Sequence, residues 1–456
     1  MAAYQNQYPP AARPWIVFLH DPLRLPETAD AVRYVVNLVA SRTPRVVPVT
    51  SLRGGELLAL DLRDLATSAD DLADLDLLFH SLAVYHAAWY DTLEQSVACR
   101  EYLHFGRPRR SIKRVVPAPH WVVWGEVTGA YRRVPILDAA RFVVDLTTNL
   151  NGGRYYDFRG LRPGLDLEDY LRSRGASVED SARLAAQQRV LMGRSGVTDK
   201  PRVVVFIRSR GVRPDRGTGL VSLTYDVVDE NLRDPLFDPF RNLANVAFDG
   251  IELILELPNG LHEFTVFSGD GKLVTYAPDN LVADSMEPPP GTARLQPALS
   301  CIRCHGVADG WQPAANDYRR LKKKGVVAVH DRFAGSVALL DELYDTDVAE
   351  PLRLARNTLS AVTYRVLGRL LEPGASPVAT ASRAVAEVYR RYVAPVTPSA
   401  AAAELGYPHR PIAELLRGVT DVHLLRLAAG DSITREQWEA VLPLAAVAAA
   451  SNTRGS

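Results

Sequence analysis

Apolar positions along this chain follow two different periods. Between residues 201 and 298 the period is that of strands, and Ile251, Leu253, Leu255 and Leu257 alternate with other residues to form one face. After residue 305 the period is helical. One apolar stripe runs along residues 351–371 and consists of Leu352, Ala355, Leu359, Val362, Val366 and Leu370. The pattern therefore predicts a central sheet followed by helices.

Turn signals indicate that the sheet is antiparallel. The predicted strands cover residues 203–207, 220–227, 251–257, 264–267 and 273–276. Pro258-Asn259-Gly260 and Gly269-Asp270-Gly271 separate the last three of them, and such residues are typical of hairpin turns.

The remaining segments predict a mixed region before the sheet and helices after it. Before it, strands are predicted over 15–20, 46–49 and 57–62, and helices over 31–42, 72–90, 136–150, 167–174 and 178–192. After it, helices are predicted over 317–324, 351–371, 377–393, 399–405 and 411–427. A final helix opens with a Thr434/Gln437 capping box and is predicted to be interrupted at Pro443.

The junction between sheet and helices carries the main chemical signal, Cys301-Ile302-Arg303-Cys304-His305. This is the C-x-x-C-H attachment pattern of a c-type haem. Cysteines three apart fall on one side of a helical turn, so that both sulfurs can form thioethers to one porphyrin edge. His305 follows as the proximal iron ligand, and Ser300 is the predicted N-cap of the turn. The alternatives are a disulfide or half of a zinc site, although no second Cys/His pair follows at zinc-finger spacing.

Together these signals predict an α+β protein in four segments. They are an N-terminal α/β subdomain (1–115), a mixed, mainly helical region (116–200), an antiparallel β region (201–298) and a haem-bearing helical domain (299–450).

Composition narrows the function classes. The 456 residues contain 53 Lys and Arg against 53 Asp and Glu, and a net charge of zero disfavours nucleic acid as a partner. No apolar run reaches the roughly 18 residues that a transmembrane helix needs. Haem is attached to this motif outside the bacterial cytoplasm, so we expect a periplasmic or other extracytoplasmic location. The stretch from Met1 to Arg13 lacks the pattern of a secretory signal, so we expect a leader ahead of Met1 if haem is attached.

The motif and its surroundings resemble a known group of proteins. The similarity is carried by Leu257-Pro258-Asn259-Gly260-Leu261, Gly269-Asp270-Gly271, Ala277-Pro278-Asp279 and the stretch from Ser300 to His305. It is sharpest over residues 248–306 and resembles extracytoplasmic bacterial proteins, mainly of planctomycetes and myxobacteria, with one c-type haem motif. The resemblance implies haem and export but no substrate. This chain differs in having Ile302-Arg303 between the cysteines and no visible signal peptide.

The residue opposite His305 decides what a haem does here. No Met follows His305, which excludes a downstream Met ligand, and Met286 lies upstream. The candidate histidines are His262, His330, His409 and His423, and we predict His330 as the distal iron ligand.

These residues predict a monohaem c-type cytochrome that transfers one electron at a time in the cell envelope. Lysines in Arg319-Arg320-Leu321-Lys322-Lys323-Lys324 are candidates for docking an acidic redox partner. The alternatives are an open-site haem enzyme, peroxidase-like or binding small ligands, and a structural protein whose Cys301 and Cys304 form a disulfide or hold zinc.

Overall fold

The computed structural model describes most of the chain outside several gaps. Described are residues 7–9, 15–21, 25–40, 43–75, 136–149, 154–176, 188–192, 200, 202–208, 219–228, 231, 247–277, 295–307, 317–324, 341, 344–345 and 347–453. Most of the predicted 72–90 helix, as well as His330 and Met286, lie outside these residues. The chain divides into two compact units, the first of Met1–Val32, Pro48–Val144 and Glu387–Ser456, the second of Arg33–Val47 and Asp145–Ala386. The predicted four-segment division stays a prediction.

The elements confirm the α+β class, with a central antiparallel sheet and C-terminal helices. The strands are β1 (Ile16–His20), β2 (Thr50–Leu52), β3 (Leu57–Asp61), β4 (Ile136–Asp138), β5 (Gln188–Met192), β6 (Arg202–Arg208), β7 (Leu220–Asp226), β8 (Gly250–Glu256), β9 (His262–Ser268) and β10 (Leu273–Val274). The α-helices are α1 (Pro26–Val39), α2 (Ala139–Asp145), α3 (Tyr155–Arg159), α4 (Leu167–Ser173), α5 (Leu299–Val307), α6 (Asp317–Lys323), α7 (Ala349–Leu367), α8 (Pro377–Val393), α9 (Pro398–Glu404), α10 (Ile412–Leu415), α11 (Val422–Ala428) and α12 (Arg435–Thr453).

The first unit contains a small mixed sheet in the order β2-β3-β1-β4. Strand β1 is antiparallel to β3 and parallel to β4. Its side chains Ile16, Val17, Phe18 and Leu19 are all buried, as expected for a strand covered on both faces. The parallel pairing places the carboxyl ends of β1 and β4 together, with His20 opposite Asp138.

Helices α9 to α12 build a second core of this unit around the fully buried Trp438. The capping box of α12 is confirmed, because the Thr434 and Gln437 side chains each accept a hydrogen bond from the other's backbone N–H. The predicted break at Pro443 is wrong, since α12 continues to Thr453. Its apolar side is held in the core on both sides of the proline, and this packing outweighs one missing hydrogen bond.

Two further predictions need correction, one in the C-terminal helices and one before the central sheet. The predicted 411–427 helix is two helices, α10 and α11, separated by Gly418 in a left-handed conformation (φ +83°) and by the Asp421 N-cap. The predicted 136–150 helix begins as strand β4, because residues 136–138 pair with β1 before α2 starts.

The second unit contains a six-stranded antiparallel sheet in the order β10-β9-β8-β7-β6-β5. The hairpin at Gly269-Asp270-Gly271 is confirmed between β9 and β10, with Gly271 at φ +75°. The helix predicted over 178–192 is wrong at its end, because residues 188–192 form β5 along the edge of β6. Pairing to a neighbouring strand, which the local pattern does not contain, overrides the helical spacing there.

Helix α7 packs on one face of this sheet. Leu352 and Ala355 join Val190, Val204, Phe206 and Leu220 of the strands in one apolar cluster. The predicted stripe is buried from Leu352 to Val366, whereas Leu370 is 86% exposed. The helix ends at Gly368 in a left-handed conformation, and the chain beyond it leaves the core.

Candidate functional site

The C-x-x-C-H sequence forms the middle of helix α5. Ala298 precedes the helix with φ +70°, and the first helical N–H, that of Leu299, donates to the Thr147 carbonyl. Ser300 is not the N-cap that the sequence predicts. It lies inside the helix, and its Oγ accepts a hydrogen bond from the backbone N–H of Gln296 at 3.0 Å. The serine hydroxyl thus ties the chain entering α5 to the helix itself.

Cys301 and Cys304 are free thiols and are half-buried. Cys301 packs against the apolar cluster of Val266, Ala277 and Leu295. Burial raises the pKa of the Cys301 thiol, with further contributions from Glu252 and Cys304. Burial likewise raises the pKa of Cys304, and Glu252 adds to the rise while Arg202 and Arg303 oppose it. Without a bound metal or haem, both sulfurs are therefore protonated thiols at neutral pH.

His305 faces the sheet through an aromatic contact. Its ring centroid lies 5.9 Å from that of Phe264, at an interplanar angle of 36°. His262 projects from the same face of β9, two residues before Phe264, and its ring lies 6.2 Å from the Phe264 ring. Burial, together with a smaller contribution from the nearby His305, lowers the pKa of His262 to about 3. His262 is therefore a neutral imidazole at neutral pH.

A buried charged group lies on the same sheet face. Arg202 contacts Asp226 at 2.5 Å and Glu252 at 3.7 Å. Burial raises the pKa of Asp226 to about 7, because the attraction of Arg202 does not offset desolvation and the charge of Glu252. Charges of this group also shift the pKa values of the two cysteines of α5. The surroundings of the motif are therefore partly charged and partly apolar.

Sequence reasoning missed this polar face. In β8 the apolar residues Ile251, Leu253 and Leu255 occupy one side, so Glu252 and Glu256 are expected on a solvent-facing side. The structure buries that side as well, with Glu256 and His262 at 1% and 2% exposure. The only local signal is the type of the polar residues on this side of the strands, which are acidic or His. Such residues are equally typical of a solvent-exposed face.

Gly306, directly after the motif, allows close packing with α8. A Cβ atom at this position would lie 2.1 Å from both Cβ and Oγ of Ser382. The Ser382 hydroxyl donates to the Ile302 carbonyl at 2.9 Å. A side chain larger than hydrogen at residue 306 would force the two helices apart.

The basic run near the motif is largely paired within the chain. Lys322 contacts Asp341 and Asp345, Arg319 contacts Asp345 and Asp347, and Arg320 contacts Asp317. Among the described residues, Lys323 and Lys324 are exposed without such ion pairs. Any attraction for an acidic partner therefore rests on these two lysines more than on Lys322.

The donor set suits covalent haem. Two unbonded thiols lie one helical turn apart, an imidazole follows at the next residue, and Phe264 supplies an aromatic surface beside it. In the part of the chain that the structure describes, no group of three or more His, Cys, Asp or Glu is arranged to hold a metal ion. Within the same residues, no helix combines the length and apolar character needed to cross a membrane.

Comparison with known proteins identifies no relative. No family model matches the chain, and no curated protein or solved structure shows significant similarity to it.

Proposed function

We propose that the chain is a monohaem c-type cytochrome of the bacterial cell envelope that transfers single electrons. Cys301 and Cys304 would attach one haem c through thioethers, and His305 would be the proximal ligand. The observation that supports this most strongly is the complete five-residue motif on one helix, with both thiols free and half-buried. When bound, haem c supplies reversible one-electron chemistry.

The chain's own residues would then orient and tune the group. Phe264 limits the rotation of the His305 ring through their contact, and the close α5–α8 packing at Gly306 fixes the position of the helix. Glu252 lies close enough to both cysteines to act on their pKa values, so its negative charge would favour the oxidised, more positive state. A periplasmic location and an acidic redox partner, docked through Lys323 and Lys324, belong to the same proposal.

The test is an alkaline pyridine haemochrome spectrum of the full chain, expressed with an added export signal in a host that attaches haem c. We expect a c-type band in the wild type and none in Cys301→Ala/Cys304→Ala. The matched control Ser432→Ala lies in an exposed segment of the other unit and should keep the band. Absence of a covalent band in the exported wild type would refute the proposal and leave the disulfide or zinc alternative.

The sixth ligand is tested on the same protein. His330 is the sixth ligand predicted from the sequence. His262, among the residues that the structure describes, is a second candidate because His305 affects its pKa. Replacing the true ligand with Ala converts a low-spin to a high-spin spectrum, while replacing the other histidine leaves it low-spin. Rapid binding of carbon monoxide by the reduced wild type would instead indicate an open site and favour the enzyme alternative.

A further inference from the structure

A second site candidate is a cavity inside the first unit, away from any cysteine. It lies where the carboxyl ends of the parallel strands β1 and β4 meet helices α8, α9 and α12. Its empty volume is about 590 Å³, which includes open solvent at its mouth. The polar lining includes His20, Asp21, Asp138 and Glu404.

The strand pairing explains why these groups converge. His20 and Asp138 are register partners across β1 and β4, so their side chains leave the sheet on the same side. Asp21 Oδ2 accepts from the Leu25 N–H at 2.7 Å, just before α1. Asp138 Oδ1 accepts from the Arg141 N–H at 2.7 Å and thereby caps α2. Residues more than a hundred positions apart in the chain thus share one rim.

The two arginines of the cavity are already matched with carboxylates. Arg435 donates to both oxygens of Glu404, at 2.8 and 2.9 Å, and its guanidinium lies 4.3 Å from the Tyr392 ring centroid. Arg391 donates from Nε to Glu387 at 2.6 Å. An anionic ligand would have to compete with these pairs for its cation.

Asp138 is the acidic group left facing the cavity. Within the described residues, the Arg141 N–H is its one hydrogen-bond donor, and it binds Oδ1. Burial raises the pKa of Asp138 to about 7, and the like charges of Glu404 and Asp21 add to the rise against Arg141 and Arg435. The surroundings of this carboxylate therefore favour an additional positive charge beside it.

We propose that the cavity binds a small organic cation, a protonated primary amine with a short apolar body. The ammonium group would donate to Asp138 Oδ2. Leu25, Val388, Ala400 and Ala403 line the same cavity and would contact the apolar body, with the two alanines leaving room for it. A charge-assisted hydrogen bond at one end and apolar contact at the other is a common way to recognise an alkylamine. The site does not depend on haem at α5.

Calorimetric titration of the full chain with hexylammonium tests this proposal, with hexanol and hexanoate as neutral and anionic analogues. At pH 8 we expect saturable binding of hexylammonium alone. Asp138→Asn keeps the Oδ1 cap of α2 but removes the charge, and should weaken binding at least tenfold. The control Asp431→Asn changes an exposed carboxylate of the same unit and should leave binding unchanged.

The pH dependence gives a second readout that needs no variant. A carboxyl with a pKa of about 7 makes binding weaker by up to a hundredfold between pH 8 and pH 5. The other titratable or charged groups that line the cavity are His20, Asp21, Tyr392, Glu404, Arg391 and Arg435. At pH 7, binding should release about half a proton, measured by titration in buffers of different ionisation enthalpy.

Three results would overturn the proposal. They are no hexylammonium binding at pH 8, equal or tighter binding of hexanoate, and unchanged hexylammonium affinity in a folded Asp138→Asn. If that variant does not fold, binding to the wild type without proton release at pH 7 overturns it instead.

Discussion

The ion pair between Arg159 and Glu263 is fully buried in the second unit, so its loss should lower the free energy of unfolding. Arg159 ends α3 and Glu263 lies on β9, and both side chains have 0% exposure. Tyr170 donates its hydroxyl to Glu263 at 2.8 Å, and Arg159 donates to the Leu38 carbonyl at 3.0 Å. Glu263 lies between His262 and Phe264 on β9. The ion pair is therefore on the opposite face of this strand from the side chains that face the C-x-x-C-H helix.

We predict that Glu263→Gln lowers the free energy of unfolding by about 3–5 kcal/mol, the usual cost of leaving one charge of a buried pair without its counter-ion. Glutamine keeps the shape and an acceptor for Tyr170, so the loss comes from charge and not from a cavity. For a unit of this size the change corresponds to a fall in Tm of about 6–20 °C. Urea denaturation followed by circular dichroism measures the free energy, and calorimetry measures Tm.

Two control variants identify the cause of the loss. Glu350→Gln breaks the exposed pair with Arg353 in the same unit and should cause no resolvable change. Arg159→Met combined with Glu263→Gln removes both fully buried charges, leaves only the partly exposed Arg174 that also contacts Glu263 at 3.4 Å, and should be more stable than Glu263→Gln alone. A loss below about 1 kcal/mol in Glu263→Gln, or full additivity of the two changes, would refute the reasoning.

Three further predictions concern packing and pH. Gly306→Ala should lower the free energy of unfolding by about 1–3 kcal/mol through overpacking. Adding Ser382→Gly should restore part of this loss. Adding Ser382→Ala should not, because Cβ of residue 382 is itself 2.1 Å from the added methyl. Leu359→Ala should lower the free energy of unfolding by about 2–5 kcal/mol. Leu370→Asp should leave it unchanged, because Leu370 is 86% exposed. Equal losses at both positions would contradict the assigned end of α7. Asp226, with its pKa raised from 3.8 to about 7 by burial, binds a proton more tightly in the folded state. Its contribution to stability is therefore present at acid pH and lost as pH rises through 7. Urea denaturation at pH 4.5 and 7.5 should show the wild type losing stability relative to Asp226→Asn, and a parallel change in the two proteins would contradict the assignment.

The local sequence was sufficient wherever neighbouring residues determine the structure. The Gly269-Asp270-Gly271 hairpin, the Thr434/Gln437 capping box and the α7 stripe up to Val366 involve residues within a few positions of one another. The helical turn that carries Cys301, Cys304 and His305 is of the same kind, since the spacing alone puts both sulfurs on one side. Whether haem binds there is still a prediction.

Tertiary structure decided whatever depends on distant partners. Strand β5 exists because β6 offers it an edge, and α12 continues through Pro443 because the core holds both sides of it. Burial of His262 depends on the α-helices that cover the sheet, which no period along β9 reveals. The cavity at His20 and Asp138 depends on the parallel pairing of β1 with β4. Local spacing sets which side chains share a face, but only the packed structure sets what that face meets, because burial and charge are properties of the neighbours.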